Sequence, residues 1–299
     1  MENKKIKTGF FAIVGKPNAG KSSLLNYIIG QKVSIVSYKP QTTRNKITGI
    51  YTDDHVQFVF LDTPGFLQPD NMLTSFMAKE INSAIEGVDG LIFVVDGSKA
   101  ISLKEIESIK ELSKHAPIVV AINKTDIINY TEVYPIIQKL NELNCIKNII
   151  AISAKTGENI ELLKSACADL CTDDIKYYDD SQVTDRTERF MVSEIIREKI
   201  LLYFQKEIPH GIGVSIDKFV DEPKSVKIDA SIICIKQSHK PILVGKSGSG
   251  IKKIGTTARV DIEELLEKKV MLNLFVKVRE NWKENHNYMS DIGYDKSES

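Results

Sequence analysis

The sequence predicts an α/β domain with a mostly parallel sheet, followed by a smaller α+β domain. Three observations predict this. The chain has 299 residues, more than one hydrophobic core usually serves. In its first half, short runs rich in Val, Ile and Phe end in polar or glycine-containing loops, several with a helical period beyond, as in strand-and-helix units. In its last third the order becomes helix, strand, strand, helix, Gly-x-x-Gly, helix, strand.

Residues 10–14, Phe-Phe-Ala-Ile-Val, read as the first buried strand, and residues 23–29 as a helix ending near Gly30. Between them Gly15, Lys16, Pro17, Asn18, Ala19, Gly20, Lys21 and Ser22 fit the G-x-x-x-x-G-K-[ST] phosphate loop, with Ser23 following. The glycines let backbone N–H groups curl around phosphates at the positive end of a helix. Lys21 neutralises the outer phosphate oxygens, and the Ser22 hydroxyl is a magnesium ligand. A chance glycine-rich turn is the alternative, and the strand, loop and helix context argues against it.

A second strand, residues 56–61, closes on Asp62, Thr63, Pro64 and Gly65. Asp62 is placed to hold the metal through water, and the Gly65 N–H to bond a terminal phosphate. Taken alone, Asp-Thr-Pro-Gly reads as a plain turn. A third strand, residues 117–122, runs into Asn123, Lys124, Thr125 and Asp126. The Asp126 carboxylate can accept two hydrogen bonds from the ring N–H and exocyclic amine of guanine. Adenine offers no such pair and would leave the carboxylate unsatisfied, so the nucleotide is GTP. Asn123 is expected to tie this loop to the phosphate loop, and the Lys124 stem to lie over the base. A fourth strand, residues 148–152, ends at Ser153, Ala154 and Lys155, where the Ala154 N–H can reach the guanine carbonyl. Each loop lies beyond the carboxyl end of a strand, where open α/β sheets bind ligands.

Over residues 7–171 these motifs resemble the translation-factor class of P-loop GTPases. The resemblance implies a guanine-binding domain with two mobile switches. Switch I corresponds to Gln41, Thr42, Thr43 and Arg44, where one threonine completes the magnesium shell in the GTP state. Thr43 is the preferred candidate and Thr42 the alternative, while plain loop is the simplest reading of the pair. Lys21, Thr43 and Gly65 are then the candidate catalytic groups. Phe66 stands where Ras-like proteins carry the glutamine that orients the attacking water. The sequence shows no evident arginine finger, with Arg44 the one residue left open for that part. In related GTPases with a Pro-Asn-x-Gly-Lys-Ser loop, the asparagine holds potassium against the phosphates. Asn18 is therefore a candidate potassium ligand, the alternative being that it simply tolerates an unusual backbone angle. Slow intrinsic turnover, raised by potassium or by a partner, is expected.

Forty basic and forty acidic residues cancel, so composition gives no whole-chain case for nucleic acid or membrane. Any electrostatic footprint must be local. Cys145, Cys167, Cys171 and Cys234 form no C-x-x-C pair, and only His115 is near three of them in sequence, so reduced structural thiols are expected. Residues 1–5 lead into a strand shorter than a secretory apolar segment, and the longest apolar runs, such as residues 91–95, are too short to span a bilayer. A cytoplasmic protein is expected.

Helical period carries the first domain to residues 158–170, with Ile160, Leu162, Leu163, Ala166 and Leu170 inward. The expected boundaries are 1–171 for the first domain, 172–184 for an acidic linker, 185–280 for the second domain and 281–299 for a tail. In the second domain, a helix with apolar Ile195, Ile196 and Ile200 and charged Glu194, Arg197, Glu198 and Lys199 precedes two alternating strands, residues 212–216 and 226–232. Residues 241–244 lead to Gly245, Lys246, Ser247 and Gly248, then a helix over 249–268 and a strand over 270–278. A lone Gly-x-x-Gly more often marks a turn. In this setting it resembles a KH domain, whose loop clamps a nucleic-acid backbone. No acidic residue occurs between Ala230 and Val260, while Lys236, Lys240, Lys246, Lys252, Lys253 and Arg259 are basic. A solvated helix face accounts for Lys252 and Lys253, but not for carboxylates missing from loop, strand and helix together. The candidate RNA-binding residues are Gly245, Lys246, Ser247, Gly248, Lys252, Lys253 and Arg259.

Taken together, the phosphate loop, the Gln-Thr-Thr-Arg switch, the acidic linker and the KH-like domain resemble the bacterial Era family of P-loop GTPases, with a type II KH domain. Residues 194–199 and the tail from Trp282 to Tyr294 match the same family. The resemblance implies a monomeric GTPase that binds the 3′ end of 16S ribosomal RNA, gated by its nucleotide, and assists assembly of the 30S subunit. It also implies peripheral contact with the inner face of the cell membrane, for which no residue here argues. Two rival readings stand: a signalling GTPase whose basic domain meets a protein or an anionic membrane, and an RNA-binding module in which GTP is mainly structural.

Overall fold

The computed structural model describes residues 6–66, 68–205 and 208–294. The reading of residues 1–5 lies outside the described residues. The chain divides into two compact units: residues 1–36, 43–68 and 77–185 form the first, and residues 37–42, 69–76 and 186–299 the second.

In the first unit β1 (Lys7–Gly15) leads to α1 (Lys21–Ile29), whose C-terminus is closed by Gly30 at a φ of 74°. Then come β2 (Ile47–Thr52), β3 (Val56–Asp62), α2 (Met72–Ile85), whose residues 72–76 group with the second unit, β4 (Gly90–Asp96), α3 (Leu103–Leu112), β5 (Ile118–Asn123), α4 (Tyr130–Asn141), β6 (Ile146–Ala151) and α5 (Ile160–Ala168). The strands lie in the order β2-β3-β1-β4-β5-β6, with β2 antiparallel and the other pairings parallel. Helices on both faces bury most of the central strands, which is why they read as apolar runs rather than alternating ones. Phe11, Ile13, Ile92, Phe93 and Val120 are wholly buried, and Ile109, Leu112, Val133 and Leu140 of α3 and α4 pack in the core.

Two details differ from the sequence expectation. Leu162 is 57% exposed, and Cys167 takes the inward position, because α5 faces the sheet through residues 160, 163, 166 and 167. Residues 172–184, expected as a linker, group with the first unit, which runs to Asp185. Buried Gln57 on β3 explains this: its Oε1 accepts from the Tyr177 and Tyr178 N–H groups at 2.8 and 3.0 Å, and its Nε2 donates to the Tyr178 carbonyl at 2.9 Å. The Ile50 N–H donates to the Val183 carbonyl at 2.8 Å, which extends the attachment along β2.

The second unit contains α6 (Glu188–Tyr203), β7 (Ile212–Asp221), β8 (Ser225–Cys234), α7 (His239–Val244), α8 (Ser249–Leu266), β9 (Lys269–Val278) and α9 (His286–Asp291). Its sheet runs β7-β8-β9, antiparallel then parallel, with α6 and α8 packed on one core with it. Charge on α6 does not mark a solvent face: Glu194, Arg197, Glu198 and Lys199 are all buried. They are buried because they are paired. Arg197 Nε donates to Glu194 Oε1 at 2.7 Å, Lys199 pairs with Asp261 at 2.5 Å, and the Arg197 guanidinium also donates to the carbonyls of Gln41 and Thr42.

The tail packs onto the second unit. Trp282, the sole tryptophan, is fully buried, donates Nε1–H to the Gly211 carbonyl at 3.1 Å and stacks on Tyr294. Trp282→Ala is expected to destabilise the second unit by about 3–5 kcal/mol. Urea unfolding followed by far-ultraviolet circular dichroism checks this, since the variant has no tryptophan left to report.

Candidate functional site

The phosphate loop turns through Gly15, Asn18 and Gly20 at φ values of 143°, 64° and 101°. A Cβ at Gly20 would lie 2.1 Å from Asn123 Nδ2, so that position admits only glycine. Asn18 takes the left-handed angle considered for it from sequence. Lys21 is buried and donates to the carbonyls of Gly15 and Lys16, each at 3.0 Å. Burial lowers its pKa to about 8, against the pull of the Asp62 carboxylate. Lys16 sends its ammonium away from the loop, to Ser102 Oγ at 2.7 Å and Glu105 Oε2 at 2.8 Å at the N-terminus of α3. There Ser102 and Glu105 form a capping box. What Lys16 leaves toward a phosphate is its backbone.

Beside the loop the structure gathers Ser22, Thr43 and Asp62. Ser22 Oγ donates to Asp62 Oδ2 at 2.6 Å and lies 2.9 Å from Thr43 Oγ1. Asp62 is wholly buried, and burial pushes its carboxyl pKa up, opposed by Lys21 and by hydroxyl donors. Its second oxygen, Oδ1, has no hydrogen-bond partner within the described structure. Two hydroxyls and a carboxylate with a buried open oxygen form the hard, all-oxygen donor set that magnesium requires, so these residues fit that ion. Thr42 is not among them: its hydroxyl donates to the Lys39 carbonyl at 2.6 Å and meets Ser37 Oγ at 2.6 Å. A Cβ at Gly65 would lie 2.7 Å from the Pro17 nitrogen, which shows how closely that backbone approaches the phosphate loop. Thr63 instead donates to the Ile13 carbonyl at 2.8 Å, and Pro64 is buried. Phe66 stacks on Phe93 with the core, and Arg44 is buried at 1% exposure rather than projecting as a mobile finger.

The base side is organised by Asn123. Its Nδ2 donates to the Ala19 carbonyl at 2.9 Å, as the sequence suggested, and its Oδ1 accepts from the Ala154 N–H at 2.9 Å. The Ala154 N–H, expected on a guanine carbonyl, is thus turned to Asn123 in this arrangement. Lys124, at a φ of 78°, sends its ammonium to Asp96 Oδ2 at 2.7 Å. Asp126 Oδ1 accepts from Ser153 Oγ at 2.8 Å, and Lys155 stands 3.6 Å from its other oxygen. Sequence reasoning missed Asp96, Ser34 and Glu105. Asp96 carried a signal, since it ends β4 as Asp62 ends β3. Glu105 carried one only as the Ser-x-x-Glu capping box with Ser102, while Ser34 carried none, because its partner Asp62 is far away in the chain.

In the second unit the Gly-x-x-Gly turn is left-handed at Ser247 and Gly248, at φ values of 50° and 80°, with Gly245 at 73°. A Cβ at Gly245 would lie 2.6 Å from the Gly250 nitrogen, whereas one at Gly248 would meet nothing within 4 Å. The first glycine is needed by the fold, and the second faces open space. Next to the turn, α8 and β9 enclose a groove of about 390 Å³, lined by Ile251, Gly255 and Arg259 on one side and Leu272, Leu274 and Phe275 on the other. Lys252 belongs to this wall, while Lys253 lies over the Tyr203 ring at 4.2 Å. No cluster of metal-binding side chains of the His, Cys, Asp and Glu kind occurs among the described residues, and no described helix is long and apolar enough to cross a membrane.

Removing the Asn123 amide would leave the Ala19 carbonyl and Ala154 N–H buried without partners, at about 1–3 kcal/mol. Asn123→Ala is expected to lower the melting temperature of the first unit and weaken GDP and GTP binding at least tenfold. Calorimetric unfolding and titration with a fluorescent GDP analogue check both.

A family model described as 50S ribosome-binding GTPase matches residues 10–124, and one described as KH domain matches residues 207–283. GTPase Era of Clostridioides difficile (strain 630) is 43% identical over 292 residues, covering 96% of this chain and 98% of that protein. GTPase Era of Clostridium botulinum (strain Okra / Type B1) is 41% identical over 97% of this chain and 99% of its own length. The crystal structure of a point variant of Aquifex aeolicus Era bound to GDP.AlF4- superposes with a TM-score of 0.93 at 33% identity, covering 97% of this chain and 99% of that one. Era in complex with MgGDPNP and nucleotides 1506–1542 of 16S ribosomal RNA gives the same TM-score, identity and coverage. With its phosphate loop, guanine loop and Gly-x-x-Gly unit each in place, the chain belongs to the Era family of GTPases.

Proposed function

We propose that this GTPase binds the 3′ end of 16S ribosomal RNA through its second unit in a nucleotide-dependent way and assists assembly of the 30S subunit. The observation that carries the RNA reading is the turn at Gly248: a left-handed glycine with open space where a side chain would stand, beside a groove of mixed polar and apolar lining and a stretch without carboxylates. A nucleic-acid backbone can approach Gly248 while bases enter between α8 and β9. Lys246, Ser247, Lys252 and Arg259 supply charge and donors at that face, and Lys253 adds charge from the next turn. The Era complex with 16S ribosomal RNA nucleotides supports the choice of RNA.

Ser22, Thr43 and Asp62 hold magnesium, which neutralises the β- and γ-phosphate oxygens when bound. Lys21 places its ammonium on the outer phosphates, and Gly65 offers its N–H to the terminal one. Gly20, Ser23 and Ala19 bring backbone donors, while Asn123, Lys124, Asp126, Ser153, Ala154 and Lys155 frame the base. Asn18 is a candidate for a monovalent cation that adds positive charge where no glutamine or exposed arginine does; equal turnover in potassium and sodium would remove it from the site.

Gating is supported by how the chain divides. Residues 37–42 belong to the second unit and Thr43 to the first, so the boundary falls one peptide bond from the threonine that sits at Ser22. The protein acts as a monomer in the cytoplasm, where its RNA is found.

The deciding experiment is binding of an oligonucleotide carrying the 3′ end of 16S ribosomal RNA, with a GTP analogue and with GDP, across a salt series. Affinity is expected to be higher with the analogue and to fall by about 0.7 log unit per log of salt for each phosphate contacted. Gly248→Asp is expected to cut affinity at least tenfold with little change in turnover. Equal RNA affinity of Gly248→Asp and the native chain would move the partner to a protein or an anionic lipid surface.

A further inference from the structure

Asp62 has one oxygen committed and one open. Oδ2 accepts from Ser22 Oγ at 2.6 Å and from Ser34 Oγ at 2.9 Å, while Oδ1 is buried with no partner in the described structure. A carboxylate rotates easily about its last torsion, so something must fix which oxygen stays open. Ser22 and Thr43 also lie at this carboxylate, but both are proposed ligands of the ion, which leaves Ser34 as the hydroxyl donor with no other task. Ser34 is 3% exposed, and Asp62 is the acceptor its hydroxyl is given.

Ser34 is itself held from α1. Asn26 Oδ1 accepts from the N–H groups of Val33 and Ser34 at 3.0 and 2.9 Å, and Asn26 Nδ2 donates to the Ser34 carbonyl at 2.7 Å. One side chain thus fixes this short backbone segment, on the helix that begins at Lys21 and Ser22. The segment after it, residues 37–42, belongs to the other unit, whereas Ser34 stays with the phosphate loop.

We infer that Ser34, held by Asn26, is a positioning residue for the magnesium site: it locks Asp62 with Oδ1 turned to the ion. The inference rests on the proposed magnesium-binding role of Ser22, Thr43 and Asp62. Ser34 is held from α1 and not from the switch residues 41–44, so on this inference it sets the carboxylate the same way with GDP or GTP bound. An outer group that orients a metal-binding carboxylate typically changes metal affinity by about 10–100-fold.

The test is release of a fluorescent GDP analogue from the full chain, followed across free magnesium and in excess EDTA. In the native chain magnesium slows release with a defined half-point. Ser34→Ala is expected to move that half-point to about tenfold higher magnesium, leave release in EDTA within about twofold, and be largely corrected by Ser34→Thr. Ser34→Cys, close to serine in size and a weak donor, is expected to shift it the same way should the alanine variant fold poorly. An unchanged half-point, or faster release by the same factor with and without magnesium, would overturn the inference and leave Ser34 a packing residue. Release from the native chain that ignores magnesium would instead overturn the metal reading of Asp62 on which it rests.

Discussion

Strands buried on both faces can satisfy their backbone groups only through neighbouring strands, and in the first unit β1, β3, β4 and β5 pair in parallel, with the edge strand β6 added parallel to β5. Parallel pairing gives all five the same direction, so their carboxyl ends meet at one edge of the sheet. The residues there are Gly15, Asp62, Asp96, Asn123 and Ala151. Polar groups that would be costly in mid-strand become free at this edge to face a ligand or one another. Asn123 uses the arrangement most fully, joining the loops after β1 and β6 through its two amide atoms. Lys124 and Asp96 join the loops after β4 and β5 in the same way.

Electrostatics then decides what the edge can hold. Lys21 and Asp62 are both buried, and desolvation acts against the charged form of each. Lys21 keeps its donors occupied with the Gly15 and Lys16 carbonyls, and Asp62 occupies one oxygen with serines. Carbonyls are weak partners for an ammonium compared with phosphate oxygens, so under the proposed function a triphosphate would gain from Lys21 what the loop alone does not supply. The Lys16 ammonium is already engaged by Glu105, whose carboxyl stays below the usual range because Lys16 and Ser102 outweigh its burial. The loop therefore keeps the ammonium of one lysine on its own carbonyls and uses the other as an anchor.

The parts of the site set by chemistry were legible in the sequence. The phosphate loop, Asp62, Asn123 and Asp126 are constrained by a ligand of fixed shape, so spacing and strand context identify them. The parts set by tertiary partners were not. Ser34 reads as an ordinary loop serine until Asp62, 28 residues away, is brought to it. The acidic stretch after residue 171 reads as linker because nothing local shows that Gln57, 121 residues from Tyr178, will satisfy its backbone. On α6 the charges of Glu194, Arg197 and Lys199 suggest solvent, and only their mutual pairing and Asp261 make burial possible. In the last third, the order of elements was legible from period and turn residues, while the groove between α8 and β9 depends on which face of each element turns outward.

The two glycines of the Gly-x-x-Gly turn separate fold from function. Gly245 has no room for a side chain, whereas Gly248 has room but a backbone angle that side chains avoid. A turn selected for stability alone would place asparagine at such an open left-handed position as readily as glycine. What glycine adds at Gly248 is backbone without a side chain, which suits the proposed approach of a nucleic-acid backbone. The first unit carries its own version at Gly65, whose backbone lies against Pro17. Residues on both sides of that position, 37–42 and 69–76, belong to the second unit, so under the proposed function the ordering of Thr43 and Gly65 around a terminal phosphate would act on chain next to those segments. Whatever free energy the phosphate contributes to RNA affinity through those segments, RNA must return to GTP affinity in equal measure.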